Sequence, residues 1–84
     1  MAELTSIRNI GREIERKLNL IGICSAEELT RLGSKEAFLQ LKMRYPNVCL
    51  VHLYTLQGAI DQLPYNRLPD EVRRDLKDFY DSLN

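Results

Sequence analysis

Apolar side chains recur every three or four residues through each long segment of this chain, and no segment of four or more residues alternates convincingly between apolar and polar. A repeat near 3.6 residues is typical of a helix with one buried face, whereas a half-buried strand repeats every two residues. Over its 84 residues the pattern falls into five helical segments. The sequence therefore predicts an all-α fold, a compact five-helix single domain over residues 1–84 with a helix-hairpin-helix-like N-terminal part.

Capping residues set the boundaries of the five predicted helices. Ser25 followed by Glu28 is typical of a capping box, while Ser34 and Asn47 are good N-caps for the next two helices. Pro46 stops the third helix, because the residue before a proline disfavours the helical region. In chain order, we predict helices over Gly11–Leu20, Ala26–Leu32, Ser34 to Tyr45, Val48–Ile60, and from Pro69 towards Leu83.

The predicted fourth helix is apolar nearly all round, which indicates a helix at the centre of the fold. We expect Leu53 and Leu56 to be buried there, and Gly58 to permit a close helix crossing. The run is too short to span a membrane. It also contains His52, Thr55 and Gln57.

Bulk properties narrow the classes of function. The chain carries 12 basic and 12 acidic residues, so only a local patch could attract nucleic acid or an anionic membrane. The N-terminal residues lack the pattern of a signal peptide, which predicts a cytoplasmic protein. Cys24 and Cys49 form no CxxC motif, and we expect two reduced, partly buried thiols.

The first Ile-Gly turn is the candidate phosphate-binding site. Backbone N–H groups at the start of a helix point at an anion, and the helix dipole favours negative charge there. We assign the candidate contact with phosphate or DNA to Arg8, Asn9, Ile10, Gly11 and Arg12. The alternative is that the glycine is an ordinary connector and that the arginines are solvated charges on a helix face.

The later glycines are interpreted as structural turns. At Gly22, the following helix already starts with Glu27 and Glu28, which would repel phosphate. Gly33 is placed to end the second helix. We therefore assign structural turns to Gly22 and Gly33.

Other candidate sites have simple structural explanations. A second basic region could be formed by four residues: Arg31, Lys35, Lys42 and Arg44. A charged helix face exposed to solvent is the commoner explanation of such a pattern. We find no partner for His52 within a helical turn and interpret it as a packed or rim histidine. No catalytic motif is recognisable, so we predict a protein that is not an enzyme and uses no cofactor or metal.

The pattern as a whole resembles the C-terminal domain of the TfoX (Sxy) family of bacterial competence regulators. The resemblance covers about residues 5–78. Its main motifs are Asn9-Ile10-Gly11, Ile21-Gly22-Ile23, Leu32-Gly33-Ser34, Tyr45-Pro46-Asn47-Val48-Cys49, Leu53-Tyr54 and Gly58-Ala59-Ile60. The resemblance implies an all-helical fold and a role in competence or transcription-linked regulation, and it supplies no catalytic residue.

The chain departs from the family pattern at three points. Family members that control competence carry an additional N-terminal α/β domain, whereas this chain is expected to be a stand-alone module. Arg8 stands where the family often has proline, and Tyr65 stands where a tryptophan commonly follows the fourth helix. Competence control is therefore not carried over from the resemblance alone.

We accordingly expect a non-enzymatic regulatory or adaptor domain that acts through contact with another macromolecule, foremost a protein. One alternative is weak, sequence-independent binding of duplex DNA through the first turn. The other is a homodimer whose interface buries aromatic side chains of the last helix, such as Phe79 or Tyr80. An exposed apolar patch would favour the protein partner, and a continuous basic patch around Arg8 and Arg12 would favour DNA.

Overall fold

A computed structural model describes residues 11–83, and this part of the chain forms five α-helices and no strand. The all-α prediction is confirmed. The helices are α1 (Arg12–Leu20), α2 (Ala26–Leu32), α3 (Ser34–Arg44), α4 (Leu50–Asp61) and α5 (Asp70–Asp81), with a 3-10 turn at Tyr65–Arg67 between the last two. The helix-hairpin-helix-like character of the N-terminal part stays a prediction, because the residues before Gly11 lie outside the described range.

The α4 helix lies at the centre and packs against α2, α3, α5 and the 3-10 turn. Leu53 and Leu56 on this helix are fully buried, as the sequence predicts. Ala59 of α4 is buried as well, and the rest of the apolar core comes from every other helix and from the connecting segments: Leu18, Ile23, Leu29, Ala37, Phe38, Leu41, Val48, Leu68 and Leu76. Gly58 is also buried, although a close helix crossing at this position stays a prediction.

The start of α2 follows the predicted capping pattern with one shift. The Ser25 hydroxyl accepts the backbone N–H of Glu28 at 3.2 Å, as an N-cap should. The Glu28 carboxylate reaches back to the backbone N–H of Cys24, at 3.4 Å, rather than to that of Ser25. Both bonds satisfy N–H groups that would otherwise lack partners near the helix start.

Two predicted caps are wrong. Ser34 is the first residue of α3, and its buried hydroxyl donates to Oε1 of Gln57 at 2.5 Å, so it ties α3 to α4 instead of capping its own helix. Asn47 does not cap α4, which begins two residues later than predicted, after Cys49. There the ring Nδ1 of His52 accepts the Cys49 N–H at 3.1 Å, so the side chain at the third helical position serves the helix start.

The cysteines are free, as expected, but both are exposed rather than partly buried. Cys24 lies in the turn before α2, and Cys49 precedes the first residue of α4. Each therefore lies in a connecting segment just before a helix, and not on a helix face that packs into the core.

The α4 core predicts the cost of truncating its side chains. Leu53→Ala and Leu56→Ala should each lower the free energy of unfolding by about 2–5 kcal/mol, because each removes a fully buried side chain and leaves a cavity. Val51→Ala is the matched control on the same helix, since Val51 is 50% exposed, and it should change stability by less than about 0.5 kcal/mol. Urea unfolding followed by circular dichroism measures all three. Equal losses at the exposed and buried positions would contradict the central placement of α4.

The turn glycines give a second prediction. Gly33 has φ +92°, in a region that L-residues rarely adopt, so Gly33→Ala should destabilise the protein by about 1–2 kcal/mol although its Cβ would meet open space. Gly11 has an ordinary extended backbone, with φ −93°, and also has open space around it. Gly11→Ser should keep or raise stability, because serine is a preferred N-cap. An unchanged free energy of unfolding for Gly33→Ala would show that the positive φ at this position does not require glycine.

Candidate functional site

Three large apolar side chains are exposed at the ends of the first helices. Met43 is 86% exposed, Leu20 is 50% exposed and Leu32 is 36% exposed. They belong to α3, α1 and α2, respectively. Contiguous exposed apolar surface marks interaction sites more often than single exposed side chains do, so their arrangement on the surface matters.

These side chains line two neighbouring depressions. The first is an open groove of about 710 Å³ bounded by Leu20, Ile21, Gln40 and Met43. The second, of about 310 Å³, is bounded by Leu32 together with the same Ile21 and Gln40. Because the depressions share two residues, they form one surface, which we call the α1–α3 face: Leu20, Ile21, Leu32, Gln40 and Met43.

Local geometry explains why this face is open. Gly22 has φ +94° and turns the chain after α1, so that Ile23 enters the core while Ile21 stays half-buried at the surface. In α3, Leu41 faces the core. Successive residues of a helix are rotated by about 100°, so Met43, two positions later, is carried to the opposite side.

Two arginines lie at the rims of the α1–α3 face. Arg44 borders the first depression and Arg31 borders the second. Within residues 11–83, neither guanidinium has an ion-pair partner. One carboxylate also borders the second depression, that of Glu28, and it accepts the Cys24 N–H at the start of α2. The face therefore combines exposed apolar side chains with the polar Gln40, and it carries Arg44 at one depression and Arg31 beside Glu28 at the other.

The second basic region suggested by the sequence does not assemble. Lys35 pairs with Asp75 of α5 at 2.8 Å and lies 5.4 Å from the centroid of the Phe79 ring. Lys42 lies 5.8 Å from the centroid of the Tyr80 ring. Both lysines thus cover aromatic side chains of the last helix, as long basic side chains often do.

The predicted phosphate-binding turn is described only in part. Arg8, Asn9 and Ile10 lie outside the described residues, whereas Gly11 and Arg12 are exposed at the start of α1. The backbone of Gly11 is extended and does not need a positive φ, unlike that of Gly22. Phosphate contact at this turn stays a prediction.

His52 has a partner that the sequence interpretation overlooked. Cys49 stands three residues earlier, and its Sγ lies 3.5 Å from Nδ1 of His52. The same nitrogen accepts the Cys49 backbone N–H, which requires a lone pair on Nδ1 and places the proton of the neutral ring on Nε2. No group of three or more His, Cys, Asp or Glu that could hold a metal occurs among residues 11–83.

Burial, and then the positive charge of Lys17, lower the pKa of His52 below its ordinary value of 6.5. Both causes disfavour the imidazolium form. A neutral ring is also the form that can accept the Cys49 N–H. His52 is therefore a rim histidine whose neutral form is favoured by its surroundings at the start of α4.

Sequence interpretation missed the exposed apolar residues of the α1–α3 face. The signal was present at Met43, which falls on the polar side of α3 when the helix is aligned on the buried Ala37, Phe38 and Leu41. An apolar residue at such a position indicates either a contact elsewhere in the fold or a surface for a partner, and the helical repeat alone does not separate the two.

Comparisons with known proteins identify the family by one match and the fold by two others. The family model of the TfoX C-terminal domain matches residues 1–80. An uncharacterized protein from Listeria monocytogenes, solved in a triclinic crystal form, is 38% identical, with a TM-score of 0.95 over 98% of this chain and 93% of that one. A protein of unknown function from Listeria monocytogenes, in a tetragonal form, is 36% identical, with a TM-score of 0.94 over 98% of this chain and all of that one. No curated protein matches the sequence.

The lowered pKa of His52 predicts a pH-dependent stability. Between the unfolded and the folded pKa, the unfolded chain binds a proton that the folded chain does not, so this contribution is complete above 6.5 and is lost as the pH falls through the folded value. The urea midpoint should therefore fall as the pH is lowered from 6.5 through the lower folded pKa of this single histidine.

His52→Gln is the variant that tests this assignment. Glutamine keeps an acceptor for the Cys49 N–H but does not titrate, so most of the decrease in the urea midpoint should disappear. A decrease of the same size in the variant would assign the pH dependence to other groups.

Proposed function

Because this chain belongs to the TfoX C-terminal domain family, whose membership suggests a competence-related regulatory domain, we propose that it acts as a non-enzymatic adaptor that docks a protein partner on the α1–α3 face. The observation that carries the proposal is the open groove bounded by Leu20 and Met43, with exposed Leu32 beside it. No part of residues 11–83 covers this apolar surface, and its removal from water by a partner contributes favourably to the free energy of binding.

The charges at the rims favour one kind of partner segment. Arg44 borders one depression and Arg31 borders the other, so a complementary segment has apolar side chains along one face and carboxylates near its ends that can pair with both arginines. An amphipathic helix meets this description, since residues at positions i, i+3, i+4 and i+7 form one apolar face that can lie in a groove. We propose an acid-flanked amphipathic helix of a cytoplasmic protein as the occupant.

Duplex DNA is the less favoured occupant on charge grounds. The protein has no net charge, and α1 carries Glu13 immediately after Arg12. Glu13 also pairs with Arg16 at 2.8 Å. Phosphate contacts would therefore be few, and duplex binding should be weak, with a shallow log–log salt slope of about −2 to −3.

The homodimer alternative rested on the aromatic side chains of α5, Phe79 and Tyr80, being available for an interface. Phe79 and Tyr80 are half-buried against their own core, and the Tyr80 ring lies 5.8 Å from that of Phe38. Packing within the chain thus accounts for the apolar face of α5.

No described helix is long and apolar enough to cross a membrane.

A pair of designed peptides tests the proposal. Both are amphipathic helices with the same leucine face; one has glutamates at its two ends, and the other has lysines there. The protein should bind the glutamate peptide more tightly, and Leu20→Ser with Met43→Ser should weaken that binding tenfold or more, about 1.4 kcal/mol. Val51→Ser is the matched control, because Val51 is as exposed as Leu20 but lies on α4.

The outcomes separate the occupants. Equal affinity for the two peptides, or equal weakening by Val51→Ser, would refute the docking face. Concentration-dependent sedimentation that the Leu20/Met43 variant abolishes would identify a second copy as the occupant. Tight duplex binding that Arg8→Ala and Arg12→Ala abolish would instead favour DNA.

A further inference from the structure

A separate basic groove lies between α1, the end of α3 and the start of α4. It has a volume of about 360 Å³. Its walls include Lys17 from α1, Arg44 and Tyr45 at the end of α3, Asn47 in the following loop, and His52 from α4. None of the residues that line it is acidic. We call it the Lys17–His52 groove.

Lys17 is positioned by its neighbours rather than free in solvent. Its side chain is only 23% exposed, and Nζ lies 5.2 Å from the centroid of the Tyr45 ring. The nearest carboxylate, on Glu13, is 3.9 Å away and 66% exposed, so it compensates the ammonium weakly. A partly desolvated cation therefore faces the groove.

Two further donors belong to residues that line the same groove, Arg44 and His52. Arg44 has no ion-pair partner within residues 11–83, so its guanidinium can bind an oxyanion with two parallel hydrogen bonds. His52 uses Nδ1 as an acceptor, which leaves Nε2 to donate. The Asn47 amide and the Tyr45 hydroxyl add neutral polar groups to the walls.

We propose that the Lys17–His52 groove binds the phosphate group of a phosphate monoester. Three side chains on three helices, Lys17, Arg44 and His52, provide cationic or neutral donors around one cavity, which suits a tetrahedral oxyanion better than a single carboxylate. The groove is larger than one phosphate group and has an aromatic wall at Tyr45, so there is room for the organic part of an ester.

The groups that face His52 make it a reporter of occupancy. Lys17 approaches from α1, Arg44 and Tyr45 line the same groove from α3, and the Cys49 thiol lies 3.5 Å from Nδ1. A bound anion offsets the charge of Lys17, which is one cause of the lowered His52 pKa, and so raises that pKa. Because the chain has one histidine, its ring protons give a single NMR signal set to follow.

The experiment titrates His52 by NMR with inorganic phosphate, and with phenyl phosphate, against sodium chloride at the same ionic strength. Both phosphates should raise the His52 pKa in a saturable manner, and phenyl phosphate should bind more tightly. Lys17→Met and Arg44→Met should each weaken binding about tenfold or more, as expected for loss of a charge-assisted hydrogen bond. Each variant is compared with its own phosphate-free pKa, since Lys17→Met itself raises it.

Lys77→Met is the matched control, because it removes an equal charge from α5, where Lys77 pairs with Asp81 at 2.9 Å. It should leave phosphate binding unchanged, and thermal melting checks that every variant is folded. A pKa no higher in phosphate than in chloride, or equal weakening by all three variants, would overturn the proposal. Exclusion of phenyl phosphate would overturn the ester assignment. A response to duplex DNA without a response to either phosphate would replace it with nucleic-acid binding.

Discussion

Burial of α4 is the constraint on which the other elements depend. Leu53, Leu56 and Ala59 are buried on the helix that packs against α2, α3 and α5, so these three helices gain buried area by contact with it, whereas α1 packs on α3. A domain of this size has only a modest margin of stability, and most of its helices are too short to persist alone in water. The outer helices are therefore held by tertiary contacts, α2, α3 and α5 with α4 and α1 with α3, more than by their own propensity.

The polar bond between Ser34 and Gln57 adds orientation to that packing. Ser34 is the first residue of α3, and its buried hydroxyl bonds to Gln57 of α4 instead of capping its own helix. The Gln57 side chain makes a second hydrogen bond, because its amide Nε2 donates to the Asp61 carboxylate at 2.9 Å. A buried polar group needs its partner, so this bond specifies which end of α3 meets α4.

The basic side chains have two different structural roles: some pack against aromatic rings of α5, and others border depressions of the surface. Lys35 and Lys42 lie against Phe79 and Tyr80 of α5, so these charges support the fold. Arg31 and Arg44 remain at the rims of the α1–α3 face, and Arg44 also borders the Lys17–His52 groove. Two neighbouring surfaces of different chemistry result, one with exposed apolar side chains and arginines at its rims, and one that is lined by basic side chains.

Local sequence determined the helices themselves and the family. The 3.6-residue repeat, the Ser25 cap and Pro46 act within one turn of the chain, so they could be interpreted without the fold, and the boundaries of α2 agree with prediction to the residue. Only the tertiary structure decided what depends on distant residues: that Ser34 bonds to Gln57, that Lys35 turns to Asp75, and that Met43 stays uncovered. A helical repeat states which side of a helix is apolar, but whether another helix reaches that side depends on how the whole chain packs.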